Sequence, residues 1–268
     1  MWTTSKLQVG TGTVKGARHR GKDTMNSVLT ALRVFEAVAD SQPVGLSELA
    51  RRLDVPKSTV QRCLKTLHEA GWVRPAPGEG RWSITGRAFT VGSAVAAGDH
   101  LRDAVLPELG ALQSAVGETI HLAVPDGDEL VLVERLDSPH QLRAFLALGT
   151  RLPLHAAATG KAYLATLPDE RIASYLAATP AKVTDRTETD PGRLRDEIGL
   201  IRERGYATTE QELHEGISAV AVAVRDRTGT ARACFSISGP SSRLTPELFE
   251  EYGSTALRTR DAIEQALR

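Results

Sequence analysis

Residues 44–67 read VGLSELARRLDVPKSTVQRCLKTL. Leu46, Leu49, Ala50 and Leu53 recur at the spacing of one helix face, and Val60, Leu64 and Leu67 do the same at i, i+4, i+7. Between these stripes Asp54-Val55 supplies a turn, and Pro56 starts the second helix, where its missing N–H leaves no bond unmade. At the head of the first helix Glu48 stands three residues after Gly45, as in a capping box, and Val44 is placed to staple onto Leu49. The stretch reads as two short amphipathic helices around a tight turn.

Working outward, residues 25–39 carry Val28, Leu29, Leu32, Phe35 and Val38 as another helical stripe, ended by Ser41-Gln42-Pro43. Downstream, Gly71 ends the second helix, and residues 72–75 and 81–84 flank Pro77-Gly78-Glu79-Gly80 as a β-hairpin. Residues 24–86 are therefore expected to form a winged helix-turn-helix. On the helix after Pro56 the core leaves Lys57, Ser58, Thr59, Gln61, Arg62 and Lys65 outside, and a recognition helix reads the major groove with such N-terminal residues. Ser58 and Thr59 suit phosphate or either base, Gln61 suits adenine, and Arg62 can fork onto guanine O6/N7. Lys57 and Lys65 suit the phosphate backbone, and Arg74 and Arg81 on the wing can add groove or phosphate contacts. The plainer reading is a solvated surface helix in an αα-hairpin. The preceding helix, the wing and the local charge together favour DNA.

That charge is hidden in the total, which balances 33 Lys/Arg against 33 Asp/Glu. Residues 1–100 hold 14 basic against 8 acidic side chains, and the remainder 19 against 25, so a basic portion is followed by an acidic one. Residues 1–23 lack apolar periodicity and are expected as a disordered basic tail, whose Lys15, Arg18, Arg20 and Lys22 can meet phosphates. No apolar run approaches the roughly 18 residues of a membrane span, and the first residues show no signal-peptide core, so a cytoplasmic protein is expected. Cys63 and Cys234 are far apart and are read as reduced thiols.

Residues 87–100 are expected as a helical linker, and 101–116 repeat a helical stripe. Beyond Gly117 the period changes: 119–124 and 130–135 flank Pro125-Asp126-Gly127-Asp128, and 217–225 and 231–238 flank Asp226-Arg227-Thr228-Gly229. Helices fit 159–166, 169–177, 190–204 and 246–267. Hairpins mixed with helices argue an α+β domain over 101–268, with helices packed on an antiparallel sheet. The run His155-Ala156-Ala157-Ala158-Thr159-Gly160-Lys161 has the look of a phosphate loop, with a helix start that suits anions. His155 replaces its first glycine, however, and Ala162 stands where a magnesium-binding hydroxyl belongs. The seven histidines show no metal spacing and no nucleophile elbow is present, so no enzyme, cofactor or metal is expected.

Four segments in order carry a family resemblance: 46–67, RLPLHAAATGKAYLA (151–165), ERGYATTEQELHEGISAVAVAVRD (203–226) and FSISGPSSRL (235–244). Together they resemble the IclR-type bacterial transcriptional regulators, from about Asn26 to the C-terminus. The resemblance implies a GAF-like C-terminal domain with a six-stranded antiparallel sheet, a small-molecule effector, and dimers or dimers of dimers on an operator, repressing or activating catabolic genes. It places effector contacts at Ala158, Thr159, Gly160, Thr209, Glu212, Ala219, Ser236 and Ser238. Leu142 and Phe145, on an apolar segment just before, are expected as a pocket wall. Thr209 stands where family members often carry Asp, and Ala219 where they often carry Cys, implying a less polar pocket whose ligand need not be that of other members; an organic or aromatic acid or related metabolite is the expected effector. The plainer reading of Ser236 and Ser238 is strand hydroxyls satisfied by their neighbours, and that of Lys161 and Arg243 is ion-pair partners for Asp or Glu.

Overall fold

The computed structural model describes residues 25–77, 80–97, 101–178 and 180–267. The basic tail expected over 1–23, the wing residues Gly78 and Glu79 and the end of the linker at 98–100 lie outside the described residues. The chain divides into two compact units, residues 1–98 and 99–268.

In the first unit α1 (Asn26–Ser41), β1 (Val44–Gly45), α2 (Leu46–Leu53), α3 (Lys57–Glu69), β2 (Val73–Pro75), β3 (Arg81–Ile84) and α4 (Gly86–Ala97) follow in order. Their shared core is Val34, Ala37, Val38, Val44, Leu49, Ala50, Val60, Leu64 and Val73. The stripes read on α2 and α3 face this core, with Leu46, Leu53 and Leu67 half-buried at its edge, whereas on α1 Val34, Ala37 and Val38 are buried and Val28, Leu29 and Leu32 of the expected stripe are exposed. Asp54 makes the turn with a left-handed φ of 52°, a conformation Asp tolerates. Pro56 sits one residue outside α3, and its carbonyl accepts the amides of Thr59 and Val60 at 2.9 and 3.1 Å. At the other end Arg87 donates to the Ala70 carbonyl at 3.0 Å, closing the helix terminus, and stacks 5.3 Å above the Trp72 ring. Gly45 is the N-cap of α2, without the side-chain bond of a capping box, and with Val44 it pairs with β3, Val44 opposite Trp82, giving a three-stranded sheet of order β1-β3-β2. Two residues are too few to show strand alternation in a sequence.

The second unit runs α5 (Leu101–Val116), β4 (Thr119–Asp126), β5 (Glu129–Leu136), β6 (Arg151–Pro153), α6 (Ala158–Leu164), α7 (Asp169–Ala177), α8 (Pro191–Arg204), β7 (Ala207–Glu210), β8 (Ile217–Arg225), β9 (Ala231–Pro240) and α9 (Phe249–Ala266). The strands form one antiparallel sheet of order β6-β5-β4-β9-β8-β7. The first hairpin is tighter than its Pro and Asp residues suggest: Asp126 pairs with Glu129, leaving Gly127-Asp128 as the turn with Gly127 at φ 67°. Asp190 caps α8 by accepting the Arg193 amide at 2.8 Å.

Successive strand residues point to opposite faces. Ile120, Leu122, Val220, Val222, Val224, Phe235 and Ile237 face α5 and α9 with Val105, Leu109, Ala256 and Ile263. The other face is made of small residues, Ala123, Ala221, Ala223 and Cys234, and packs under α6, α7 and α8. Small residues there allow α6 to come close. A Cβ on Gly160 would stand 2.4 Å from the Leu154 Cα, so only glycine fits where α6 crosses its own approach segment.

Candidate functional site

Two surfaces carry functional chemistry, one in each unit. On α3, Lys57, Ser58, Gln61, Arg62 and Lys65 are exposed, and Thr59 is half-buried beside the core residue Val60. All six project from the helix that Val60 and Leu64 anchor, so their directions are set by core packing. Lys65 approaches Glu69 only at 3.9 Å with both side chains in solvent, a pair worth a few tenths of a kcal/mol. The amides of Lys57 and Ser58 precede the first bond of α3 and point toward its open end, where a phosphate is favoured. Arg74 is exposed on β2, opposite Ser83. Arg81 is exposed on β3 but donates to the Pro43 carbonyl at 3.1 Å, which braces the base of the wing.

In the second unit the polar residues lie on the small-residue face of the sheet. Ser236 on β9 stands opposite His121 on β4 and Ala221 on β8; Ser238 stands opposite Thr119 and Ala219. Ala219 in turn faces Thr209 on β7. The structure thus brings Thr209, Ala219, Ser236 and Ser238 into neighbouring rows of one face, with Thr209, Ser236 and Ser238 buried. Ala158, Thr159 and Gly160 open α6, which packs on this same face, and all three are buried. The two serines are bonded to each other, Oγ to Oγ at 3.0 Å, and Ser238 Oγ lies 3.2 Å from His121 Nδ1.

Three expected contacts sit differently. Leu142 and Phe145 are exposed, 65% and 60%, and are not gathered with the others. What reaches the sheet from their segment is backbone: Thr119 donates to the Ala144 carbonyl at 3.1 Å and Arg243 to that of Leu142 at 2.9 Å. The Arg135 guanidinium lies 4.0 Å over the Phe145 ring, holding it at the surface. Glu212 is engaged elsewhere. The Lys161 ammonium, 1% exposed, donates at 2.8 Å to both Glu212 and Glu197, tying α6, α8 and the turn after β7 together. Burial pushes the Glu212 carboxyl up, and the Lys161 charge opposes that shift. Both carboxylates also line a surface groove with Arg186, Glu188, Arg193 and Glu210, whose arginines pair with Glu210 and Glu188. Those cations are already neutralised.

His155 is a structural hydrogen-bonder. Nδ1 meets the Tyr175 hydroxyl and Nε2 the Ala181 carbonyl, both at 2.8 Å. Arg243 pairs with the buried Glu118 carboxylate, 2.5 Å from Nε to Oε1. A buried histidine beside these serines that the sequence did not single out is His121. It is 3% exposed, its Nε2 is buried without a hydrogen-bond partner, and burial pushes the ring down to about 4. A histidine inside an alternating strand gives no spacing signal, so only the register beside Ser236 reveals its place. Among the described residues no group of three or more His, Cys, Asp or Glu is placed to hold a metal ion.

Comparison with known proteins places both surfaces in one family. The profile of the IclR helix-turn-helix domain matches residues 27–77, and that of the bacterial transcriptional regulator IclR C-terminal domain matches residues 93–265. The transcriptional repressor IclR of Escherichia coli is 32% identical over 246 residues, 90% of each chain. The HTH-type transcriptional repressor AllR of the same organism is 33% identical, covering 96% of this chain and 94% of its own. An IclR homologue of Microbacterium hydrocarbonoxydans, crystallised with 4-hydroxybenzoate, superposes with a TM-score of 0.78 at 25% identity, over 90% of this chain and 99% of its own. With a helix-turn-helix in one unit and a six-stranded sensor sheet in the other, the chain belongs to the IclR family of bacterial transcriptional regulators.

Proposed function

We propose that the protein is a repressor of catabolic genes that binds a two-fold operator as a homodimer and responds to a small organic acid. The observation that carries this reading is the division of labour: an exposed basic helix in one unit, and a buried row of hydroxyls on a small-residue sheet face in the other. Lys57, Ser58, Thr59, Gln61, Arg62 and Lys65 contact the DNA, Arg74 and Arg81 add wing contacts, and the two α3 helices of a dimer enter major grooves about 34 Å apart. Met25, Val28, Leu29 and Leu32 lie exposed at i, i+3, i+4, i+7 along the start of α1, a stripe that supports pairing with a second copy. The effector meets Thr159, Thr209, Ser236 and Ser238, and its differential affinity for two arrangements of the dimer, passed on by residues 87–100, changes operator affinity. No described helix is long and apolar enough to cross a membrane, in keeping with a regulator that works where the DNA is.

The test is twofold. Selection from a random duplex pool should return a two-fold sequence, and thermal shifts with a panel of organic acids, aromatic acids and sugars should find a saturable ligand that alters binding to it. Recovery of no preferred duplex, or of no ligand that alters its binding, contradicts the reading.

A further inference from the structure

The His121 ring is the one buried side chain among the described residues with a polar atom, Nε2, that finds no hydrogen-bond partner. Such an atom costs roughly 1–3 kcal/mol, and a native structure that keeps one calls for a reason. Its surroundings supply that reason. Nδ1 is held by Ser238, which is held by Ser236, so the ring is fixed in direction while Nε2 stays available. Across the sheet, the row through His121 runs Arg135, His121, Ser236, Ala221, Ala207, and the next runs Thr119, Ser238, Ala219, Thr209. Neither row contains an acidic side chain. Arg135 at the edge of the row is paired with Asp137 at 2.8 Å, and the hydroxyls contribute neutral donors. A cluster of this kind complements an acceptor-rich, anionic group.

We propose that His121 is a specificity-determining ligand contact: its Nε2 hydrogen-bonds the carboxylate of a small organic acid, and the imidazole takes up one proton from solvent as the acid binds. The proposal rests on the reading of this face as an effector site. In the free protein burial holds the ring neutral, aided by Arg135 and His214 and opposed by Asp137. Those three are the charged or titratable groups that face it, from β5, from the turn after β7 and from the turn after β5; Lys161 on α6 is neutralised by Glu197 and Glu212. A carboxylate placed at Nε2 reverses the balance, because an opposite charge at hydrogen-bond distance favours the imidazolium. The ion pair N–H⁺···O⁻ then replaces an unmade bond. A primary amide of the same shape gains no such pair.

The experiment is calorimetric titration of the full chain with benzoate, 4-hydroxybenzoate and malate, and with their primary amides, in two buffers of different ionisation enthalpy. Between about pH 6 and pH 8 the acids stay ionised, and acid affinity is expected to fall with rising pH, by up to about tenfold per unit. The heat should differ between buffers as proton uptake requires, and the amides should bind more weakly without it. His121→Gln should lose the proton uptake, the pH slope and the preference for acid over amide. His214→Gln should keep all three. Should His121→Gln fail to fold, the wild-type ring signals of His121, followed by NMR, must move to the protonated form when acid is added. Acid binding without proton uptake, or uptake that persists in His121→Gln, overturns the assignment of His121 and leaves the effector reading standing. Failure of every panel acid to bind wild type overturns both.

Discussion

The DNA-facing helix and the sensor face solve opposite problems. On α3 the side chains proposed to meet DNA stand mostly in water, held through the buried Val60 and Leu64 beneath them. On the sheet the side chains proposed to meet the effector are themselves buried, and the two serines are held by neighbours: Ser236 by Ser238, and Ser238 by His121. Water shields a surface cation cheaply, so α3 can carry Lys57, Arg62 and Lys65 ready for a polyanion. A buried polar group has no such shield, so it must be bonded within the protein or wait for a ligand. The contrast predicts that substitutions on α3 change affinity and leave stability alone, whereas those at the sensor face change stability as well.

The largest effect should come from Gly160→Val. The new Cβ meets the Leu154 backbone at 2.4 Å, and backbone cannot move aside as a side chain can. A loss of several kcal/mol is expected, enough to unfold the second unit at ordinary temperature while the first still melts on its own. Differential scanning calorimetry separates the two transitions; an unshifted second transition would mean that α6 does not lie against that segment.

Next comes Lys161→Met. It leaves two carboxylates facing each other without their cation, and about 3–5 kcal/mol should be lost. Adding Glu212→Gln should recover part of that loss, because one of the two negative charges goes. Denaturant midpoints of the two variants decide it, and a double variant no better than the single would break the account of this clamp.

Acid should destabilise the sensor unit through its histidines. The His121 ring is held down to about 4 when folded, against an unfolded value near 6.5, so the unfolded chain binds the proton first. Its contribution is complete above the unfolded value and is lost as pH falls from about 6.5 toward 4, by roughly 3 kcal/mol in all. Burial lowers His155 and His214 as well, which adds in the same direction. His121→Gln should flatten this slope in melting curves taken across that window. An unchanged slope would shift the effect onto the other two rings.

The smallest change in free energy is expected at α3. Lys57→Ala should weaken operator binding alike for all sequences and reduce its salt slope by about one. The melting temperature should not move, which is the half of the contrast that α3 must satisfy.

The same contrast explains what a sequence can reveal here. The helices of the first unit are legible because their apolar stripes, Leu46-Leu49-Leu53 and Val60-Leu64-Leu67, leave everything polar on one outward face. The long hairpins β4–β5 and β8–β9 are legible by turn residues and apolar runs. β1, β6 and β7 are not, since two to four residues hold too little alternation to stand above chance. Ser236, Ser238, Thr209 and Ala219 share a face only through register between strands far apart in the chain, and composition does not encode register. Their place came from the resemblance to known regulators. His121 lacked even that aid, and Leu142 and Phe145 looked like a wall because an apolar run in a loop reads the same whether it faces inward or outward.

The central claim, two separable surfaces in one switch, is tested most directly by Arg62→Ala. Operator affinity by fluorescence anisotropy and acid binding by thermal shift are measured on the same preparation. The account predicts a loss of operator affinity of about 1–3 kcal/mol, roughly fivefold to a hundredfold, with the saturable shift by acid unchanged. Unchanged operator affinity, or a loss of acid binding along with it, would contradict the claim.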